Sequence, residues 1–361
     1  MMKNIFNRFS RHFSKLIAIA AVSASFVSCD DSFIYDYEGD CDPHYFIKFE
    51  YTMHMEKGDA FKEQVEAVDL WIFNEDNGEF VDHIYTTVAD MAATDYLLPI
   101  DVKPGNYNFV AWCGDIDNRH FSVSDRIDRR EDATCRLSSR LYEGTQATSK
   151  ENLDLLFHGK LDGAMLPDEQ GKHIYTIPLI RDVNNIELTL QHISGEFDTE
   201  HIEITMVDNN GFMFHNNLLD ENDEDILYRP WSIRSGTLED AAEGARIRQR
   251  AAGEDAEDGE VTTANFLNLE LSTARIMAAH NPVITIKDTE KDEILFQIPL
   301  VKWLLQLKSK RYADMEDQEY LDRKNQHELM VFLQDDGDSG WTAVSVVING
   351  WHIIDNGQEN L

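Results

Sequence analysis

Cations are scarce in this chain. Its 361 residues hold 32 Lys and Arg against 67 Asp and Glu, a formal charge of −35. Phosphate backbones are bound by clustered cations that release counterions, so an anionic field of this size excludes nucleic acid as a partner and excludes charge as a means of attachment to acidic lipid. Eight prolines and 19 glycines are too few for a fibrous or linker-like protein. Four cysteines are too few for a disulfide scaffold of this length. Against these shortages stand 42% hydrophobic and 10% aromatic residues, enough for substantial cores, and a length that suits two domains.

Acidic residues are missing altogether from positions 1–28, which carry Lys3, Arg8, Arg11 and Lys15. The apolar run Leu16 to Val27 follows, of signal-peptide length and short of the ~20 residues that span a bilayer. Residues 1–28 are therefore expected to be a lipoprotein signal peptide, cleaved between Ser28 and Cys29. The small residue before a cysteine has the form of a bacterial lipobox, although Phe26 stands where leucine is usual. The Cys29 thiol is the nucleophile that takes up diacylglycerol as a thioether. Two or three acyl chains then hold the protein durably, since each buried methylene contributes about 0.8 kcal/mol. Without residues 1–28 the chain carries 28 basic residues against 67 acidic, or −39, so its membrane attachment must come from lipid. Residues 29–43 are expected to be the lipidated tether.

Three further thiols, Cys41, Cys113 and Cys135, permit one intramolecular disulfide, and the sequence does not choose the pair. Period-two alternation dominates the rest. Tyr45, Ile47, Phe49 and Tyr51 share one strand face, and Ile202, Ile204 and Met206 another. Asn-Gly pairs at 77–78, 210–211 and 349–350 suit hairpin turns. Strands are expected near 44–53, 66–73, 79–86, 95–102, 105–113, 153–159 and 173–180. A second set is expected near 184–193, 201–208, 211–215, 263–271, 282–287, 293–301, 327–334 and 341–354. Two all-β sandwich domains follow, 44–181 and 182–361, the second with an acidic insertion at 239–260 that is either a mobile loop or a short exposed helix. Helix is expected only around 56–64 and 312–324.

Catalytic patterns are absent. There is no phosphate loop, no Gly-x-Ser-x-Gly elbow, no His-Glu-x-x-His and no paired Cys-x-x-Cys. The 13 histidines are not spaced as ligands on one face. The acidic runs 115–118, 220–225 and 335–338 lack the spacing of a calcium loop. No metal, no cofactor other than lipid on Cys29, and no enzymatic activity is expected. Trp71, Trp112, Trp303, Trp341 and Trp351 lie in strand-like runs, where core is the usual fate and a sugar platform the rarer one.

Several pieces, in order, resemble the FimB-like fimbrial anchor family of Bacteroidales. They are the lipobox and tether, Cys41-Asp42-Pro43 before an aromatic strand, Trp71-Ile72-Phe73, Pro104 through Trp112, Leu156-Phe157-His158-Gly159, Pro178 through Arg181, Gln318 through Arg323 and Val347 through Trp351. The resemblance implies two tandem transthyretin-like β-sandwich domains. It implies a non-enzymatic lipoprotein that holds the base of a fimbrium in the outer membrane, at the cell surface, and ends polymerisation. Its partners would be shaft subunits, joined by strand complementation after an arginine-specific protease has opened the receiving groove in each. In that light one shortage is informative: from Cys29 through Asn118 there is no arginine. The alternative is a surface lipoprotein adhesin or glycan-binding module at a fibre tip.

Overall fold

The computed structural model describes residues 42–138, 140–192, 201–237, 265–306, 308, 310–335, 341–348 and 351–353. The signal segment, the tether with Cys41 and the insertion at 239–260 lie outside the described residues. The protein is built of short strands with few helices, none of them long and apolar enough, among the described residues, to cross a membrane.

The first unit is a seven-stranded ribbon. Its members are β1 (Pro43–Glu50), β2 (Ala67–Asn74), β3 (Phe80–Thr87), β4 (Leu97–Ile100), β5 (Gly105–Gly114), and two later strands described below as β10 (Leu156–Leu166) and β11 (Gly171–Arg181). Their order is β3-β2-β5-β10-β11-β1-β4. Strand β11 turns the ribbon into a sandwich. Gly171–Pro178 pairs in parallel with β1, whereas Leu179–Arg181 pairs antiparallel with β10. The two arms therefore face one another across a core that joins Tyr45, Ile47 and Phe49 of β1 to Leu70 and Ile72 of β2 and Phe109 of β5. The period-two pattern made this register inevitable, because a slip of one residue would turn these side chains to water. Helix α1 (Phe61–Gln64) plugs one end with Phe61, stacked on Phe49 with ring centroids 5.7 Å apart, and the single turn α2 (Val88–Met91) follows β3.

Between β5 and β10 the chain leaves this unit. Strands β6 (Phe121–Val123), β7 (Cys135–Leu137), β8 (Leu141–Glu143) and β9 (Gln146–Ser149) belong to sheets completed by the second half. The second half supplies β12 (Val183–His192), β13 (Ile202–Asp208), β14 (Phe212–Met213), β15 (Ile226–Tyr228), β16 (Ser232–Thr237), β17 (Asn265–Ala274), β18 (Val283–Asp288), β19 (Glu293–Pro299), β20 (Gln326–Asp335), β21 (Trp341–Ile348) and β22 (Trp351–Ile353). One sheet runs β16-β17-β12-β20-β21-β22 and the facing one β19-β18-β13-β15-β9-β8, with a small sheet β14-β7-β6 at the side. Leu188, Leu269 and Val331 of one sheet meet Met206 and Ile286 of the other in a core continuous with Trp71, Phe73 and Trp112 of the first unit. The all-β tandem of transthyretin-like sandwiches is thus the observed architecture.

Several local expectations are corrected. The strand expected to run to 301 stops at Pro299, and Leu300–Gln306 is helix α3, whose Leu300, Val301, Trp303 and Leu304 are buried at helical spacing. The helical stretch 312–324 narrows to α4 (Asp317–Arg323). Strands β6 to β9, β15 and β16 were not expected. All but β16 have at most four residues, too short for alternation to register.

Candidate assembly site

Strand pairing at the N-terminal strand and at sheet edges is the means by which a protein built of β-sandwiches can join another chain. The chain's own first strand is interior to the fold. Both flanks of β1 are paired, with β11 from Pro43↔Gly171 to Glu50↔Pro178 on one side and with β4 from Tyr45↔Ile100 to Lys48↔Leu97 on the other. Its inward residues Tyr45, Ile47 and Phe49 are 0–3% exposed. Burying three such side chains contributes roughly 1.5–3 kcal/mol each, and the ladder adds main-chain bonds on two sides.

Beyond β1 the backbone reaches the second unit. Asn325 donates its side-chain amide to the Tyr51 hydroxyl at 2.9 Å, and Arg323 donates to the Thr52 carbonyl at 3.0 Å. Arg323 is held by Glu319 one turn earlier on α4. Behind these contacts lies a buried polar node. Arg275 makes a two-pronged pair with Asp322 at 2.8 and 2.7 Å and donates to the Asn217 carbonyl, and its Nε stands 3.8 Å from Asp182. Asn217 donates to the same Asp182 oxygen at 2.9 Å. Burial pushes the Asp182 carboxyl up to about 7, against the pull of Arg275 and the Asn217 bond. Asp182 is the residue between β11 and β12, so the node sits where the chain passes from one unit to the other. A buried charge pair of this kind stabilises little by itself, but removing one member strands the other.

The expected site residues divide cleanly. Ser28, Cys29 and Cys41 lie outside the described residues. Cys113 and Cys135 are free, buried thiols in different clusters, so the candidate bridge between them is not formed; Cys113 faces the first unit's core and Cys135 the second's. Burial pushes both thiols up, which suits inert packing groups. No group of three or more metal-ligating side chains occurs among the described residues. The acidic run 220–225 has a partner instead: Arg140, its side chain 4% exposed, clamps Asp223 at 2.7 Å and Glu224 at 2.8 Å. That clamp spans more than 80 positions, and no local pattern announces it. Trp71, Trp112 and Trp303 are buried.

Among the described residues, the sheet orders leave edge strands without a second neighbour. The first unit ends at β3 and β4, and the second unit's sheets end at β16, β22, β19 and β8. Strand β22 is three residues long and pairs with β21 from Val346↔Ile353 to Ile348↔Trp351. An edge strand is a template for another chain.

Comparison with known proteins agrees with this geometry. A family model described as fimbrillin-A associated anchor proteins Mfa1 and Mfa2 matches residues 37–357. The minor fimbrium anchoring subunit Mfa2 of Porphyromonas gingivalis is 24% identical over 200 residues, 54% of this chain and 59% of that protein, so the match spans little more than half of the curated relative. Among solved structures, a candidate polysaccharide-binding protein of Bacteroides thetaiotaomicron superposes with a TM-score of 0.69 at 22% identity, covering 88% of this chain and 99% of that one. A candidate adhesin of the same species gives 0.68 at 25% identity, covering 87% and 98%. The fimbrial anchor Mfa2 of P. gingivalis gives 0.60 at 14% identity, covering 87% and 99%. The chain belongs to the family of fimbrillin-A associated anchor proteins.

Proposed function

We propose that this protein is the lipid-anchored base of a fimbrium, held in the outer membrane at the cell surface through Cys29, and that it ends subunit polymerisation. The observation that supports this most is the interior position of β1. A shaft subunit that assembles by strand complementation must vacate such a position so that another chain's strand can fill it. Here the position between β11 and β4 is filled by the chain's own strand. No arginine separates that strand from Cys29, so an arginine-specific protease cannot cut between them. The first unit therefore has no slot to offer, and the fibre stops.

The direction of β1 orients the molecule. Its first residue pairs with Gly171 at the β10–β11 turn, and its far end leads to Tyr51 and the contacts with Asn325 and Arg323. Residues 30–42 span at most about 3.3–3.6 Å each, a tether of up to roughly 45 Å. The lipid end thus leaves the pole of the first unit remote from the junction, and the second unit points outward with its edges β16, β19 and β22. Shaft subunits are proposed to join there, at an edge strand, and the function is structural, not enzymatic. A surface adhesin is the second reading, since one structural neighbour is described as a candidate polysaccharide-binding protein.

Deleting the gene while leaving the shaft subunits intact tests the base reading. Longer fibres released into the medium are expected. Cell-bound fibres of unchanged length would contradict it.

A further inference from the structure

A cleft of about 330 Å³ opens between the β2–β5 face of the first unit and the paired strands β6 and β7. That is the small end of the ~300–1,000 Å³ range typical of small-molecule sites. Its floor is a cross-strand row. Tyr85 of β3 stands opposite Asp69 of β2, and Asp69 opposite Trp112 of β5, so the three side chains share one face of the sheet with the carboxylate in the middle. Trp71, two residues along β2, extends the same face and is stacked with His83, ring centroids 4.6 Å apart and 18° from parallel. Phe121 of β6 contributes a further ring, and Asp115, just past β5, a second carboxylate.

The charge of this cleft is unbalanced. Among the described residues that line it there are two carboxylates and no lysine, arginine or histidine. Each carboxylate spends one oxygen inside the protein, Asp69 on His83 and Asp115 on the Leu155 amide at 2.9 Å. The second oxygen of each finds no hydrogen-bond partner among the described residues, and neither is walled off from solvent. The Asp69 side chain is 29% exposed. Burial pushes both carboxyls up from their ordinary value, against the pull of His83 on one and of the Leu155 amide on the other. A positive neighbour relieves that penalty.

Charge and aromatic lining together select the occupant. An anion is repelled by both carboxylates in a chain of net charge −35. An uncharged occupant would take the carboxylates further out of water without offsetting their charge. A bare metal ion lacks its ligands, since no group of three or more metal-ligating side chains occurs among the described residues. An organic cation with N–H donors meets every wall. It donates to the unpaired oxygens of Asp69 and Asp115, and the aromatic residues on either side of Asp69 attract its charge. Neighbouring strands are about 4.8 Å apart, so a charge held over Asp69 lies within the ~6 Å reach of a ring on each side. We infer that the cleft lined by Asp69, Trp71, Tyr85, Trp112 and Asp115 binds a primary alkylammonium or guanidinium group, the cation of lysine, arginine and free amines.

The test uses the purified full chain in a neutral polyoxyethylene detergent at about 0.15 M salt, where diffuse attraction is screened beyond ~8 Å. Saturation-transfer NMR titrations are run with Nα-acetyl-lysine methylamide, Nα-acetyl-arginine methylamide and putrescine. The controls are Nα-acetyl-norleucine methylamide, Nα-acetyl-glutamate methylamide and methyl glucoside. At least one cation is expected to bind at millimolar concentration, and every control at least about ten-fold more weakly. Asp69→Asn is expected to weaken cation binding about ten-fold, and Tyr85→Ala, at a 55% exposed position outside both cores, about three-fold. Glu293→Gln, which removes an exposed charge from β19 of the second unit, is expected to change nothing. Preference for the blocked residues over putrescine assigns the group to a protein side chain, and the reverse preference to a free amine. No binding by any cation, a control that binds as tightly, or equal losses in Asp69→Asn and Glu293→Gln overturns the proposal.

Discussion

The side-chain amide of Asn325 donates to the Tyr51 hydroxyl at 2.9 Å, joining the residue that follows β1 to the second unit. Tyr51 is 1% exposed and packs edge-on against Phe157, ring centroids 4.9 Å apart.

Tyr51→Phe keeps the ring and removes the bond. A loss of about 1 kcal/mol is expected, since Asn325 is half-buried and water replaces part of what is lost. Tyr51→Ala also empties the core and is expected to cost about 3–5 kcal/mol. Urea denaturation followed by tryptophan fluorescence measures both, and equal losses in the two variants would contradict the assignment.

Stability is expected to rise from about pH 4 to a maximum near pH 6.5. Burial raises Asp182 to about 7 from its ordinary 3.8, so the folded state favours the neutral carboxyl, and that stability, full below 3.8, is lost as pH rises from about 3.8 to 7. Burial lowers His158 and His327 to about 3 from 6.5, so they fold neutral. Their stability is present above 6.5 and lost as pH falls toward 3. Each group contributes a slope of up to about 1.4 kcal/mol per pH unit. Asp182→Asn keeps an acceptor for Asn217 and removes the opposing slope, so the rise in stability between about pH 4 and 6.5 is expected to steepen. An unchanged slope over that range in a pH series of thermal melts would exclude Asp182 as a contributor.

Gly114 ends β5 and passes beneath the next segment so closely that an added Cβ would stand 2.0 Å from the Leu155 carbonyl oxygen. Backbone cannot yield as a side chain can. Gly114→Ala is therefore expected to cost at least about 2 kcal/mol, whereas Gly144→Ala, in open space, pays only for its positive φ of 68°. Comparable denaturation midpoints for the two variants would contradict the packing described.

Cys113 and Cys135 are expected to resist thiol reagents until the protein unfolds, because both are buried and their thiols are pushed up by desolvation. Labelling with a maleimide followed by peptide mass mapping reads this directly. Modification of either residue at native pH, at a rate near that of free cysteine, would show the core to be open.

Much of this fold was legible because half-buried strands write their register into the sequence. Tyr45, Ile47 and Phe49 announce β1, and Ile204 and Met206 announce β13. The hairpin Asn77-Gly78 stands at the observed turn between β2 and β3. What escaped was short or distant. Strands β6 to β9 have three or four residues each, and the partners that tie β7 and β9 to the second half, β14 and β15, lie 76 to 79 positions downstream. The helix Leu300–Gln306 did carry a signal, Pro299 at its start and apolar residues at 300, 301, 303 and 304, but it followed a strand of the same hydrophobicity. Trp71 and Trp112 were legible as members of strand-like runs, yet only tertiary structure shows the Trp112 indole buried without a partner.

The central claim is that lipid on Cys29 holds the fimbrium through a strand the protein never gives up. The direct measurement is metabolic labelling with radioactive palmitate in cells carrying either the native gene or Cys29→Ala, with fibres counted on cells and in the medium. The account predicts label on the native protein alone and fibres shed by the Cys29→Ala cells. Cell-bound fibres of normal length in the unlabelled variant would contradict it.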